Sequence, residues 1–438
     1  MSGVGRVSRR RLLKAGAVAA AGGAAAIAGA SRDAHPAQIP GPRQTDLAGR
    51  KFKAYVRVGT RPASVEELTL LPIGARDVLV RSQAACSCYS ITPFALSTRD
   101  FRQPMIMNHS GMGVVEAVGT QVRRVQAGDR VIVAGTPQCG QCYQCLQGRP
   151  DHCQFLTLPQ RATATMPDGT PAFPMAGLGG TAELATVPEE YCVPVFTELP
   201  AAQLAMLADT TGTGLAATMN LIEMFPGAEV AVLGLGPLGL SIVQGARING
   251  ATQIVGIDPI KGRRDLAAKL GATVTLDPNA EGDKLVEHVR ELCKGPSDRR
   301  DAGGRAGTGR GPDFVFEAVG GDTFPPKAEA SPDPNGILPI NQAFDMARTG
   351  GHIVLHGIAQ RGQVSFAPAR LTIGGRSIHA GQQGGLHIMR DLPRYVRLIE
   401  RGLFDAASLV TATFPIERAT ESFQTVADRT TIGSVVVF

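Results

Sequence analysis

Residues 229–250, EVAVLGLGPLGLSIVQGARING, decide the fold. Four apolar residues after Glu229 (EVAVL) run into Gly234-Leu235-Gly236-Pro237-Leu238-Gly239, and an apolar helical pattern follows. A G-x-G-x-x-G between a buried strand and a helix makes a tight turn whose backbone N–H groups can approach a pyrophosphate. The same alternation continues outward. QIVGID reads as a strand, GRRDLAAKLG as a helix and TVTLD as a strand, which predicts a doubly wound parallel α/β sheet over about residues 215–380. Asp258, twenty-four residues after Gly234, stands where a carboxylate can accept hydrogen bonds from ribose hydroxyls and repel a 2′-phosphate, so NAD is expected rather than NADP. Arg263 is a further candidate for cofactor contact. For Arg263 and Arg264 a solvated helix face is the plainer alternative.

Upstream the texture changes. From Lys51 to about Met206, short β-type runs such as DVLVRSQA, GMGVVEAVG and DRVIVAG are broken by glycine and proline, predicting a smaller, mostly β domain. Within it Cys139, Cys142, Cys145 and Cys153 read C-x2-C-x2-C-x7-C. Four thiolates at these spacings can close a tetrahedron around a structural zinc ion, with no position left for substrate. A ferredoxin-type iron–sulfur run usually carries proline after its last cysteine, where Gln154 stands here. Disulfides suit small secreted scaffolds better than a chain of 438 residues. Cys86, Cys192 and Cys293 read as buried small hydrophobes.

The order Cys88, His109, cysteine lobe, glycine turn resembles the zinc-dependent alcohol dehydrogenases of the medium-chain dehydrogenase/reductase superfamily. GVVEAVG, VQAGDRVIV, GPDFVFEAVG and the tail GSVVVF extend the resemblance from about Lys51 to Phe438. It implies a chaperonin-10-like catalytic domain at 47–214, a Rossmann dinucleotide-binding domain at 215–380, and a return to the catalytic domain at 381–438. It also implies a catalytic zinc on Cys88, His109 and Asp209, with Ser90 passing on the proton of a bound alcohol. Taken singly, His109 could be a turn histidine, Asp209 a cap for a helix beginning near Gly214, and Cys88 a buried thiol with Cys86 as competitor. The chain departs from the family at two supporting positions. Ile91 stands near the first ligand where relatives carry an acid, and Asn108-His109-Ser110 replaces Gly-His-Glu. Tyr89 follows Cys88 where histidine or arginine is common, and Pro93 lies near the place of a relay histidine.

The implied activity is hydride transfer between an alcohol, or an aldehyde or ketone, and NAD. Alternatives from the same residues are a zinc-free NADH-dependent reductase and a non-catalytic exported NAD- or ligand-binding protein. The family forms dimers or tetramers, and the segment from Thr163 to Val187 resembles the longer loop of dimeric members, so a homodimer is expected.

The N-terminus adds a location. Ser8-Arg9-Arg10-Arg11-Leu12-Leu13-Lys14, an Ala/Gly-rich stretch and Ala28-Gly29-Ala30 resemble a twin-arginine signal over 1–30, followed by a proline-bearing linker at 31–46. A merely basic tail is the alternative. The export machinery would then be a partner, and the mature chain would work in the periplasm, cell envelope or outside. The formal charge of +6 falls to +1 once the five basic residues of 1–30 are removed, so the basic balance is no nucleic-acid footprint. Twin-arginine export carries folded proteins, so zinc and NAD could load before export. Two stretches read as insertions, Pro296–Gly311 and Asp322–Gly336. Solvated loop is the plain reading of both, and a lid or partner surface the sharper one.

Overall fold

The computed structural model describes residues 47–157, 160–294, 309–359 and 362–438. The leader, the linker and most of the 296–311 insertion lie outside them. Among the described residues no helix is long and apolar enough to cross a membrane.

The strand Glu229–Leu233 is the centre of a six-stranded sheet. On one side it pairs with Gln253–Ile257 and then Val274–Leu276; on the other come Phe314–Glu317, His352–Leu355 and Ser377–His379. Every pairing is parallel, with Glu229 opposite Gln253 and Val230 opposite Phe314. In chain order the strands lie 3-2-1-4-5-6, so the order reverses at Glu229–Leu233, and the carboxyl end of that point is where sheets of this order hold their ligands. The near-continuous apolar strands follow from burial on both faces.

The remaining β structure forms a small closed barrel and a seven-stranded sheet. The last strand, Gly433–Val437, pairs antiparallel with Asp77–Cys86, the strand that leads into Cys88. Ser87, Ser422 and Ser434 hydroxyls form a buried chain at 2.8 and 2.7 Å beneath that pairing, tying the helix Ala419–Ala427 to both strands.

One helix pair joins the two β systems. Thr210–Met219 packs on Pro237–Ile248, the helix that leaves the glycine turn. At their crossing a Cβ on Gly214 would sit 2.6 Å from Leu238 O and 2.6 Å from Ser241 Cβ. One on Gly245 would sit 2.4 Å from Thr218 Oγ1. Only hydrogen fits at either place. Around this contact a single apolar cluster runs from Ala84, Met112 and Ile132 of the catalytic sheet to Val230, Val232 and Phe314 of the dinucleotide sheet.

Replacing Gly214 by alanine should therefore lower stability by about 1–3 kcal/mol through overpacking against backbone. The check is the urea unfolding midpoint with the denaturant slope unchanged.

Candidate active site

Cys88, Ser90, His109 and Asp209 come from three separate stretches and meet at one point. The Sγ of Cys88, a ring nitrogen of His109 and a carboxylate oxygen of Asp209 lie within 4.8 Å of one another. His109 Nε2 is 3.0 Å from Ser90 Oγ and 3.9 Å from Asp209 Oδ2, and Ser90 Oγ is 3.1 Å from Cys88 Sγ.

Local backbone explains each placement. Cys88 follows the strand Asp77–Cys86 and its carbonyl accepts the N–H groups of Ile91 and Thr92, opening the helix Thr92–Leu96. His109 follows Asn108, whose φ of 84° is left-handed. Asparagine tolerates that conformation better than other side chains, so it can stand where relatives use glycine. Its amide then fixes the turn, with Nδ2 donating to Cys86 O at 2.9 Å and to Thr181 Oγ1 at 3.1 Å, and Oδ1 accepting from His109 N at 2.9 Å. Asp209 stands just before the helix Thr210–Met219, which starts four residues earlier than Gly214. Its side chain makes no capping hydrogen bond, and the capping reading of Asp209 fails.

The donor set fits a divalent metal. Burial, and then the Asp209 carboxylate, push the Cys88 thiol well above the usual range, so a thiolate here needs a cation beside it. Asp209 Oδ2 is buried and accepts no hydrogen bond from the described residues. One thiolate, one imidazole and one carboxylate are zinc ligands, and three of them leave a position for substrate. Cys86 is no competitor. Its thiol is buried at 3.2 Å from Met206 Sδ and is pushed up to about 12 by burial, with the Asp209 charge adding to it.

The departures have structural consequences. Ile91 is buried in an apolar cluster with Ala95, Met107 and Phe423. Ser110 Oγ and His109 Nδ1 are both buried without a protein partner among the described residues, so the acceptor that usually orients a metal-binding imidazole is lacking. A different residue supports the carboxylate. Gln383 Nε2 donates to Asp209 Oδ1 at 3.2 Å while its Oε1 accepts from Thr136 Oγ1 at 3.0 Å. Sequence reasoning missed Gln383. Its only signal was a glutamine beside Gly384 and Gly385, in a turn where Gln383 itself has φ 45°.

The four lobe cysteines also converge within 4.8 Å. Cys139 and Cys145 Sγ atoms are 3.9 Å apart, as are Cys142 and Cys153. A tetrahedron with bonds of ~2.3 Å has edges of about 3.8 Å, so the lobe is already the size of a zinc–tetrathiolate centre. Burial opposes ionisation of Cys142, yet the N–H groups of Gln154 and Cys145 and the neighbouring thiols bring it down to about 6.

At the glycine turn each glycine has its own reason. Gly234 has φ 86°, and a Cβ there would lie 2.7 Å from Ala318 O. A Cβ on Gly239 would lie 1.8 Å from Gly234 O, so the helix could not close on the strand. Over Gly236 the space is open, with only Arg263 Nη1 at 3.9 Å. That opening lets a pyrophosphate approach backbone N–H groups and the helix N-terminus formed by Pro237 and Leu238. Asp258 is 3% exposed. Its Oδ2 accepts from Leu235 N and its Oδ1 from Ile260 N, both at 2.8 Å, leaving a lone pair on each oxygen for a ribose. Arg263 and Arg264 are not on a solvated face. Their side chains are 14% and 16% exposed; Arg263 lies 3.7 Å from Asp258 Oδ2, and Arg264 Nη1 donates to Asp258 O and Pro259 O at 2.7 Å.

Two family models match the chain: the alcohol dehydrogenase GroES-like domain at residues 74–197 and the zinc-binding dehydrogenase domain at 237–401. The S-(hydroxymethyl)glutathione dehydrogenase of Synechocystis sp. is 29% identical over 388 residues, covering 86% of this chain and 96% of the relative. The class-3 alcohol dehydrogenase of Cereibacter sphaeroides is 27% identical over 391 residues, covering 86% and 97%. Among solved structures, benzyl alcohol dehydrogenase from Acinetobacter calcoaceticus superposes with a TM-score of 0.74 at 22% identity, covering 89% of this chain and 99% of its own.

Gln383→Ala removes the amide donor from Asp209. Retention of metal against a chelator, and turnover, should each fall by about 10–100-fold while the cysteine lobe keeps its zinc. Zinc analysis after graded chelation, paired with kinetics, checks this.

Proposed function

The chain belongs to the zinc-dependent alcohol dehydrogenases of the medium-chain dehydrogenase/reductase superfamily, and on that premise we propose a zinc- and NAD-dependent enzyme working outside the cytoplasm. It is an oxidoreductase that moves hydride between an alcohol or its carbonyl product and a nicotinamide dinucleotide. The observation that carries the proposed site is the meeting of Cys88, His109 and Asp209 within one coordination sphere. The zinc-free reductase is not favoured, because a thiol, an imidazole and a buried carboxylate gathered within 4.8 Å have no common purpose without a cation.

Bound zinc supplies Lewis acidity toward the substrate oxygen, and bound nicotinamide accepts or supplies the hydride. Cys88, His109 and Asp209 would hold the first. The turn from Gly234 to Gly239, with Asp258 and Arg263, would hold the second. Ser90, whose Oγ lies 3.0 Å from His109 Nε2 and 3.1 Å from Cys88 Sγ, would take the alcohol proton, the role that the family resemblance implies. Gln383 keeps the Asp209 carboxylate turned toward the cluster. Cys139, Cys142, Cys145 and Cys153 would hold a second, purely structural zinc.

NAD is preferred over NADP because the buried Asp258 carboxylate disfavours a 2′-phosphate. The twin-arginine pattern at 1–30 supports export, with the export machinery as transient partner. The names of two relatives, the S-(hydroxymethyl)glutathione dehydrogenase above and a geraniol dehydrogenase of Carpoglyphus lactis, support a substrate that carries a –CH2OH group. A homodimer is the proposed assembly.

The test is zinc per chain in mature protein purified without added metal or chelator, followed by turnover with primary alcohols. Two zinc ions and NAD-linked oxidation are expected, and His109→Ala should leave about one zinc and abolish turnover. Turnover unaltered in that variant would overturn the metal mechanism.

A further inference from the structure

The Asp322–Gly336 insertion is not a free loop. It leaves the carboxyl end of the strand Phe314–Glu317 just after Ala318, whose carbonyl abuts Gly234 of the glycine turn. Asp322 N donates to Pro334 O at 2.6 Å, so the two limbs close into a compact loop. On the dinucleotide side Asn279 Nδ2 donates to Ala330 O at 3.1 Å, and Asn279 lies beyond the end of the strand Val274–Leu276. On the catalytic side Thr323 N donates to the hydroxyl of Tyr89, neighbour of Cys88, at 3.1 Å. Lys327 N and Ala328 N donate to Asp428 O at 3.1 and 3.3 Å, and Lys327 Nζ pairs with Asp428 Oδ2 at 2.7 Å.

The principal fastening is Asp322 on Arg429. Their side chains are 7% and 12% exposed, which shields the pair from salt. Arg429 follows the helix Ala419–Ala427 in a left-handed conformation, φ 58°, at a position where glycine is the ordinary choice. Keeping arginine there costs backbone strain, which the contacts of its guanidinium offset. That guanidinium stands 6.0 Å from the Tyr89 ring centre. Burial, and then the charge of Arg263, hold it below its usual range, so it shares a region with the arginine beside the glycine turn.

The anchor points bracket the dinucleotide crevice. Asn279 follows the third strand, Asp322 follows the fourth, and Gly234 and Asp258 follow the two strands between them. In a sheet of this order the adenosine half occupies that interval. We infer that residues 322–336 strap the adenosine half of the dinucleotide into its crevice, fastened by Asp322 on Arg429 and Lys327 on Asp428. The nucleotide is then a slowly exchanging resident group rather than a co-substrate that comes and goes each turnover. This rests on the dinucleotide reading above. A resident cofactor must be returned to its starting state in place, so the natural reaction pairs oxidation of one substrate with reduction of a second.

The experiment uses the mature chain loaded with NADH and follows release by fluorescence on displacement with excess NAD. Three altered chains are compared with it: Asp322→Ala/Lys327→Ala, Arg429→Ala, and one with residues 324–333 replaced by a short glycine–serine link. Release is expected to accelerate by about tenfold or more in each, with association changed far less. The double variant removes two side chains and leaves the loop backbone and the left-handed turn at Arg429 in place, which guards against misfolding in the other two. Release at the wild-type rate from the double variant and the shortened chain would overturn the strap and leave the dinucleotide reading intact. Failure of the unaltered chain to bind NADH would overturn both.

Discussion

Two glycines set the distance between the helices Thr210–Met219 and Pro237–Ile248, and the chemistry depends on that distance. Asp209 stands at the head of the first helix and the glycine turn at the head of the second. A side chain at Gly214 or Gly245 would push them apart against backbone and a buried threonine. Bringing the helices to hydrogen contact therefore positions a metal-binding carboxylate and a pyrophosphate-binding turn with one interaction. The apolar cluster around the crossing makes the spacing stiff, because close-packed interiors do not deform continuously.

Burial is the second constraint, and it explains why the cluster reads as a metal site. A thiol that burial keeps protonated, an imidazole and a partly unpartnered carboxylate are individually costly inside a protein. A cation satisfies all three at once. The lobe differs in that Cys139, Cys142 and Cys145 are partly exposed and only Cys153 is buried, and backbone N–H groups together with neighbouring thiols favour ionisation of Cys142. Support for the catalytic cluster has shifted relative to the family pattern. Help is missing at Ile91 and Ser110 and is supplied to Asp209 by Gln383 from a distant turn.

Much of this was legible in the chain. Glycine spacing, the strand before it and the carboxylate after it specify a local turn, and local geometry is what sequence encodes most directly. Four cysteines within fifteen residues are equally local. The trio Cys88, His109 and Asp209 was legible only through resemblance, since its members are far apart in the chain. For Asp209 the sequence leaves a helix cap open beside the ligand reading, and only the unused side chain at the cap position of the helix Thr210–Met219 removes that alternative. Arg263 and Arg264 looked solvated because helical periodicity cannot see the carboxylate and carbonyls that fold over them.

The sequence by itself determined the alternation of strands and helices, the glycine turn, the cysteine lobe and the residue types available to hold a metal. These depend on neighbours in the chain and on backbone preference. Tertiary structure alone decided that Gln383 supports Asp209, that Asn108 takes a left-handed turn to aim His109, and that residues 322–336 reach Tyr89, Asp428 and Arg429. Each joins groups separated by scores of residues, or depends on such contacts. Their pairing is set by how the sheets and the glycine-spaced helices pack, and no local pattern records it.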